Sequence, residues 1–261
     1  MAGRQGTENS KEYRQVPKSS LEGSGLAPFD VAILGGAFDP PHVGHLIMGA
    51  AALVLGFARD VWFVPSPDRP DKSMVRPFDE RRKLVDLSLR QVTSELQQHL
   101  MTSSCEQELG DFRGSLFLMT TLVQRFPNKR FGFVMGGDVL SRIMTWNDPM
   151  TGRMTGAAFL NHVPCLVFGR GSSGGQGDGG VAVPSVPGSL VVADIDCVAA
   201  ANDLFRRAGL PQPGGSFSYS QLSSTRIREE LASNCPDRDF MRLALGQLVL
   251  DRLCVPGKTT V

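Results

Sequence analysis

Apolar and polar positions fall along this chain in blocks that alternate between strand-like and helix-like patterns. Val31 to Leu34 is a short apolar run ending in Gly35-Gly36, and it predicts a buried strand. Val43 to Phe57 is almost wholly apolar and long enough for a buried helix. Val61 to Val64 predicts a second strand, ended by Pro65. Phe78 to about Leu100 fits one long helix, with Asp79 and Glu80 in the first turn, where the helix dipole favours acids. Leu116 to Phe126 is another helix, stopped by Pro127. Phe131 to Met135 and Cys165 to Phe168 are strands. Further on come a strand near Leu190 to Ile195, a helix near Val198 to Ala208, a Pro/Gly loop, and two terminal helices starting near Ser224 and Asp237.

This order predicts an α/β fold: a Rossmann-like parallel sheet with helices on both faces and a helical C-terminal part. Ligands of such sheets bind beyond the C-terminal ends of the strands. Function is therefore sought just after Leu34, Val64, Met135 and Phe168. Two stretches fall outside the pattern. Residues 1–28 carry Glu8, Lys11, Glu12 and Arg14 among Gly and Ser and read as a disordered tail. The Gly- and Ser-rich stretch near 170–188 reads as a flexible surface insertion. The remainder, 29–255, reads as a single domain.

Composition narrows the classes. The 261 residues are 41% hydrophobic and 20% charged, with a net charge of +1. A sizeable core can be buried, and no bulk binding to nucleic acid or to an anionic membrane is expected. The longest apolar run, Leu46 to Ala58, is shorter than the ~18 residues of a membrane span, and the N-terminus lacks a signal-peptide core. Cys105, Cys165, Cys197, Cys235 and Cys254 are scattered, odd in number and form no CxxC pair. A disulfide framework and a structural zinc site are thereby disfavoured. The expectation is an intracellular soluble protein of the cytoplasm or nucleus.

Chemistry gathers in two places. Gly35-Gly36-Ala37-Phe38-Asp39-Pro40-Pro41-His42-Val43-Gly44-His45 follows a strand and opens a helix. The glycines allow a ligand to approach the backbone, and the prolines pre-set the first helical turn. His42 and His45, three apart, project from one face of that turn, beside free amides that favour an anion. Together they predict a phosphate site with two imidazole donors; the alternative is that the histidines only cap or pack. In Ser223-Ser224-Thr225-Arg226-Ile227-Arg228 the hydroxyl residues are good N-caps. The positions where a capping box from Ser224 or Thr225 would place Glu or Gln hold Ile227 and Arg228. Arg226 and Arg228 then crowd the positive end of a helix, which is costly without an anion nearby. Alternatively both point to solvent and pair with Glu229 and Glu230.

The first segment resembles the GxFxPxHxGH signature of the HxGH nucleotidyltransferases, and the second resembles their SSTxIR motif. The resemblance spans about Val31 to Leu231. Gly136-Gly137-Asp138, with Trp146 eight residues later, is similar to the GxD…W pattern of the nicotinamide/nicotinate mononucleotide adenylyltransferase branch. Pro65 to Lys72 resembles that branch's PxxxPPHK loop, with Asp71 and Arg69 replacing a histidine and a proline. In the region of the branch's SYTxxTL stretch only Thr121-Leu122 aligns well, so a preference for the amide or the acid of the pyridine is not carried over.

The resemblance implies AMP transfer from ATP to a pyridine mononucleotide, giving NAD or its acid form and pyrophosphate, with Mg2+ accompanying ATP. It implies His42, His45 and Arg228 as the catalytic phosphate-holding residues. Gly35, Gly36, Phe38, Gly136, Asp138, Arg170, Ser223, Ser224 and Thr225 would complete the ATP site. Gly36, Ala37, Lys72, Arg81 and Trp146 would take the mononucleotide, and Asp138 would lie by the metal. The alternatives are a helix N-cap for Asp138, a core position for Trp146 and a solvated surface for Arg81. Family members often self-associate into homo-oligomers; the sequence carries no interface signal. Another adenylyl- or cytidylyltransferase of the superfamily, or a non-catalytic nucleotide sensor, are the other readings of the same motifs.

Overall fold

The computed structural model describes residues 29–69, 73–140, 142–169, 190–192, 195–214 and 217–254. The predicted tail, the Gly-rich insertion, Lys72 and Arg170 lie outside the described residues. A six-stranded parallel sheet runs through the molecule in the order β3-β2-β1-β4-β5-β6. Its strands are β1 (Phe29–Gly36), β2 (Ala58–Pro65), β3 (Leu100–Thr102), β4 (Phe131–Gly136), β5 (Cys165–Phe168) and β6 (Leu190–Val192). The strand order reverses between β1 and β4, and at such a switch point the crossovers leave to opposite faces and open a crevice.

Both faces of the sheet are covered, as the apolar runs predict. Side chains alternate along each strand. Ala32 and Leu34 of β1, with Leu166 and Phe168 of β5, join one apolar cluster. Val31 and Ile33, with Cys165 and Val167, join the other. The first cluster takes Leu46 and Ile47 of α1 (Val43–Val54) and Leu84 and Val85 of α2 (Phe78–Leu89). The second takes Leu118 and Leu122 of α5 (Ser115–Arg125) and Phe159 of α7 (Gly156–His162).

Helix α1 stops three residues short of the expected Phe57. Gly56, at φ 72°, takes the left-handed position. Phe57 N–H then donates to Ala52 O and Gly56 N–H to Leu53 O, a Schellman closure. The long helix expected over 78–100 is a larger correction. It ends at Leu89, is followed by the single turn α3 (Ser94–Gln97), and gives way to strand β3, which pairs Leu100 with Val61. The unpaired edge of β2 supplies a ladder partner, and backbone pairing there outweighs continued helix. The helix expected over 198–208 is likewise two: α8 (Ile195–Ala201) and α9 (Asp203–Arg207). Asn202 breaks it by capping α9 through its side chain, which accepts from Leu204 N–H. Helix α6 (Gly137–Leu140) follows β4 directly. Three terminal helices are present instead of two: α10 (Ser224–Ala232), α11 (Arg238–Leu245) and α12 (Gln247–Leu253). Gly246 at φ 69° separates the last pair.

A four-residue helix, α4 (Cys105–Glu108), follows β3 and buries Glu106. Burial pushes this carboxyl up to about 7, against the opposing charge of Arg69. Its folded value therefore lies above its unfolded one. Between roughly pH 4.5 and 7 the folded chain keeps a proton that the unfolded chain has released, so stability falls as pH rises through this window. The loss is about 3 kcal/mol by the top of the window. Glu106→Gln, measured by urea unfolding at pH 5 and pH 8, is expected to remove most of this slope. Equal slopes in the two proteins would refute the assignment.

Candidate active site

Two helix N-termini meet beyond the end of β1. The loop from Gly36 carries the chain through Phe38 and Asp39 to His42, the N-cap of α1. Phe38 holds φ at 50°, a conformation that costs a non-glycine residue about 1–3 kcal/mol. Its buried ring offsets that cost, lying 6.0 Å from the Phe63 ring and 4.9 Å, edge-on, from the His45 ring. The His42 backbone N–H donates to His45 Nδ1 at 3.1 Å. A backbone amide can only donate, so Nδ1 accepts and the proton of neutral His45 sits on Nε2. His45 thus offers a fixed N–H donor on its far side. The two imidazoles lie together, with centroids 3.8 Å apart.

The glycine between these histidines has a steric reason. A Cβ at Gly44 would lie 3.0 Å from His42 Nδ1 and 3.1 Å from its Cε1, so a side chain there would push the ring aside. Gly44→Ala is expected to lower kcat about tenfold with little change in melting temperature, since only one ring moves. A melting temperature that falls while kcat holds would show that the glycine serves packing alone.

The opposite wall comes from α10, at the other end of the sequence. Ser223 caps this helix by accepting from Arg226 N–H at 3.1 Å. Ser224 Oγ donates to Pro40 O at 2.9 Å. Arg228 Nη1 donates to Asp39 O at 2.6 Å, and its Nη2 to Thr225 Oγ1 at 3.1 Å. Neither arginine follows the solvent alternative. Arg226 turns away to lie 4.0 Å over the Phe240 ring, and Arg228 faces the loop of β1. Neither α1 nor α10 carries an acid in its first turn. Two positive helix ends, two imidazoles and one guanidinium therefore converge without an acid in either first turn, which is the electrostatic signature of an anion site.

Asp39 stands in this loop, and its charge is dealt with locally. Its carboxylate is buried and accepts from Val75 N–H at 2.6 Å and from Arg76 Nη1 at 2.9 Å. The acid is thus neutralised on the far side while its backbone carbonyl holds Arg228. Sequence reasoning passed over this pair, since Arg76 stands in no recognisable motif.

Arg81 does not take the surface position. It is fully buried, with Nη1 donating to Ala37 O at 2.7 Å and to Ser66 O at 2.8 Å, and Nε to Arg76 O at 3.1 Å. Burial lowers its pKa, and the charges of Asp39 and Asp68 oppose that shift. This one guanidinium ties the loop after β1 to the loop after β2.

On the other side of the switch point, β4 ends in Gly136. A Cβ there would lie 2.5 Å from Asp138 Oδ1, so glycine leaves the space that the Asp138 carboxylate occupies. Asp138 is exposed in the first turn of α6, 3.9 Å from Arg142 Nη2. A small crevice opens between these ends, lined by His42, Gly44, Met48, Gly136, Phe168, Gly169, Ile195 and Tyr219.

Trp146 is placed apart from this crevice. It is half-buried on the second apolar cluster, its ring 5.3 Å from that of Phe159. The stretch from Gly114 abuts it: a Cβ at Gly114 would lie 3.4 Å from Asn147 O, and Arg113 pairs with Asp148 at 2.7 Å. The structure thus joins two segments that the sequence presents separately.

The chain is similar to known proteins in sequence and in fold. A family model described as cytidylyltransferase-like matches residues 33–230. The chain belongs to the cytidylyltransferase-like family. Among proteins similar in sequence, a probable nicotinate-nucleotide adenylyltransferase of Myxococcus xanthus is 35% identical over 118 residues, covering 45% of this chain and 60% of that protein. One of the same description from Halalkalibacterium halodurans is 30% identical over 118 residues, covering 44% and 55%. The match thus spans little more than half the length of these relatives. Among solved structures, the Plasmodium falciparum nicotinic acid mononucleotide adenylyltransferase complexed with NaAD superposes with a TM-score of 0.65 at 18% identity, covering 85% of this chain and 92% of that one. That likeness is one of fold, and it confirms the α/β architecture of the family.

Proposed function

We propose that this chain transfers the adenylyl group of ATP to the phosphate of a pyridine mononucleotide, nicotinate mononucleotide in preference to the nicotinamide form. The observation that carries the proposal is the meeting of two helix N-termini, with His42, His45 and Arg228, at the loop beyond β1, beside the crevice that His42 lines at the sheet's switch point. The names of the two similar proteins above, both probable nicotinate-nucleotide adenylyltransferases, support the acceptor.

In the proposed reaction a mononucleotide phosphate oxygen attacks the α-phosphorus of ATP. The bond from that phosphorus to the oxygen bridging it to the β-phosphorus breaks, and pyrophosphate leaves with the bond electrons. Nucleophile and leaving group are already anions, so neither a general base nor a general acid is required. Catalysis then consists of alignment and charge neutralisation. His45 donates from Nε2 to the phosphates, and His42 lines the same wall. Arg228, with Ser224 and Thr225, braces the β- and γ-phosphates from α10. Gly35, Gly36 and Phe38 shape the close approach, while Ala37 and Arg81 hold the loop that faces the acceptor. Trp146 would stack on the pyridine ring, and Lys72 and Arg170 remain part of the proposal as phosphate-facing and adenine-side groups.

Among the described residues no group of three or more His, Cys, Asp or Glu is placed to hold a metal ion. Asp138 alone fits a divalent cation that arrives on the phosphates, because Mg2+ is commonly held by one carboxylate plus substrate oxygens. Bound there, Mg2+ would supply charge to the triphosphate. No helix among the described residues is long and apolar enough to cross a membrane. Cysteines without a disulfide among the described residues, Cys105, Cys235 and Cys254, support a reducing compartment, cytoplasm or nucleus.

The test is pyrophosphate release from ATP and Mg2+ with each mononucleotide offered separately. Release with either supports the reading, and the ratio of kcat/KM values gives the preference. Absence of release with both, in a protein that binds ATP, would overturn it.

A further inference from the structure

Tyr219 is a buried tyrosine whose hydroxyl finds no hydrogen-bond partner among the described residues. It lines the crevice with His42, Phe168 and Ile195. A phenol in the core ordinarily pairs its O–H, because a buried unsatisfied hydroxyl costs about 1–3 kcal/mol. Phenylalanine would fill the same space without that cost, so the hydroxyl calls for a partner beyond the described residues.

The backbone around Tyr219 is held to keep the ring in place. Asp196, in the first turn of α8, accepts from Tyr219 N–H at 2.7 Å and from the Ser218 hydroxyl. The Phe217 ring packs edge-on against the tyrosine at 5.3 Å. Burial, with the Asp196 charge adding to it, raises the phenol pKa, so the group stays an O–H at any physiological pH. Phe168 and Ile195 supply apolar walls for a flat ring, and Tyr219 supplies the polar group that would fix the ring's orientation.

We propose that Tyr219 is the base-reading residue of this site, its hydroxyl donating a hydrogen bond to a ring nitrogen of the adenine of ATP. The inference rests on the adenylyl-transfer reading for the identity of the nucleotide. It adds a contact that lies outside both sequence motifs.

The experiment is Tyr219→Phe, with ATP affinity measured by calorimetry rather than by turnover. The variant is expected to bind ATP about 5- to 10-fold more weakly, the worth of one hydrogen bond, and to melt at the same temperature or higher, since an unsatisfied hydroxyl is gone. The 1-, 3- and 7-deaza analogues of ATP are then compared on both proteins. One of the three is expected to bind the unmodified protein more weakly by the same factor and to bind Tyr219→Phe no worse than ATP does. Unchanged ATP affinity in Tyr219→Phe would overturn the proposal. So would three deaza analogues that all bind the unmodified protein as ATP does. A protein that shows the expected ATP losses yet releases no pyrophosphate with either mononucleotide would sink the pyridine reading and leave this one standing.

Discussion

His45→Ala is expected to lower kcat by about 10²–10³, the usual loss for one preorganised donor to a transition-state oxyanion. The fold should lose about 1 kcal/mol, because the same side chain satisfies the His42 amide at the start of α1. Two further substitutions separate these roles. In His45→Asn the side-chain oxygen can stand where Nδ1 accepts, so the cap survives while the far-side donor is lost. In His45→Gln an amide N–H reaches toward the place of Nε2. Stability should therefore be kept in the Asn variant without activity, and activity should return in part in the Gln variant. Steady-state kinetics beside urea unfolding would check the pattern. A folded His45→Ala protein with unchanged kcat would remove this residue from the mechanism.

The second large effect concerns stability. Arg81→Met keeps a stem of similar length and removes the guanidinium. The carbonyls of Ala37, Ser66 and Arg76 then lose their donor inside the protein. Relief from burying a charge offsets part of this, and the expected net loss is on the order of 3 kcal/mol. Lysine should restore less than half, since its one ammonium cannot take the places of both Nη1, which holds Ala37 O and Ser66 O, and Nε, which holds Arg76 O. The urea midpoint is the readout, and a loss below about 1 kcal/mol would show that the carbonyls find water instead. A protein that survives should also show a raised KM for the acceptor, because the loop after β1 would no longer be tied to the loop after β2.

The burial of Arg81 was in principle readable from the sequence. It stands three, four and seven residues before Leu84, Val85 and Ser88, all on the buried face of α2. A charged residue on that stripe signals an interior role. The sheet was legible for a related reason: strands buried on both faces are continuous apolar runs, and the runs at 31–34, 61–64, 131–135 and 165–168 are of that kind. Strand β3 was not legible. No glycine or proline interrupts residues 78–100, so nothing local stops the helix. The stop comes from the free edge of β2, a partner distant in sequence. Within the site, the motifs at 35–45 and 223–228 announce themselves because they break local rules, with glycines, prolines and arginines where capping would want other residues. Tyr219 and the Asp39–Arg76 pair break none. Their roles exist only once the chain has folded them together.

The Arg228–Asp39 contact joins residues 189 positions apart. During synthesis, at about 5–20 residues per second, the loop at β1 would emerge roughly 10–40 s before the helix that closes over it. The nascent chain could assemble β1, α1 and β2 early, since those contacts are local, yet it would hold only one wall of the phosphate site. Tight capture of nucleotide is thus deferred until nearly all of the family-matched segment has left the ribosome, and a chain stalled before residue 223 would fold much of its sheet while competing little for cellular ATP.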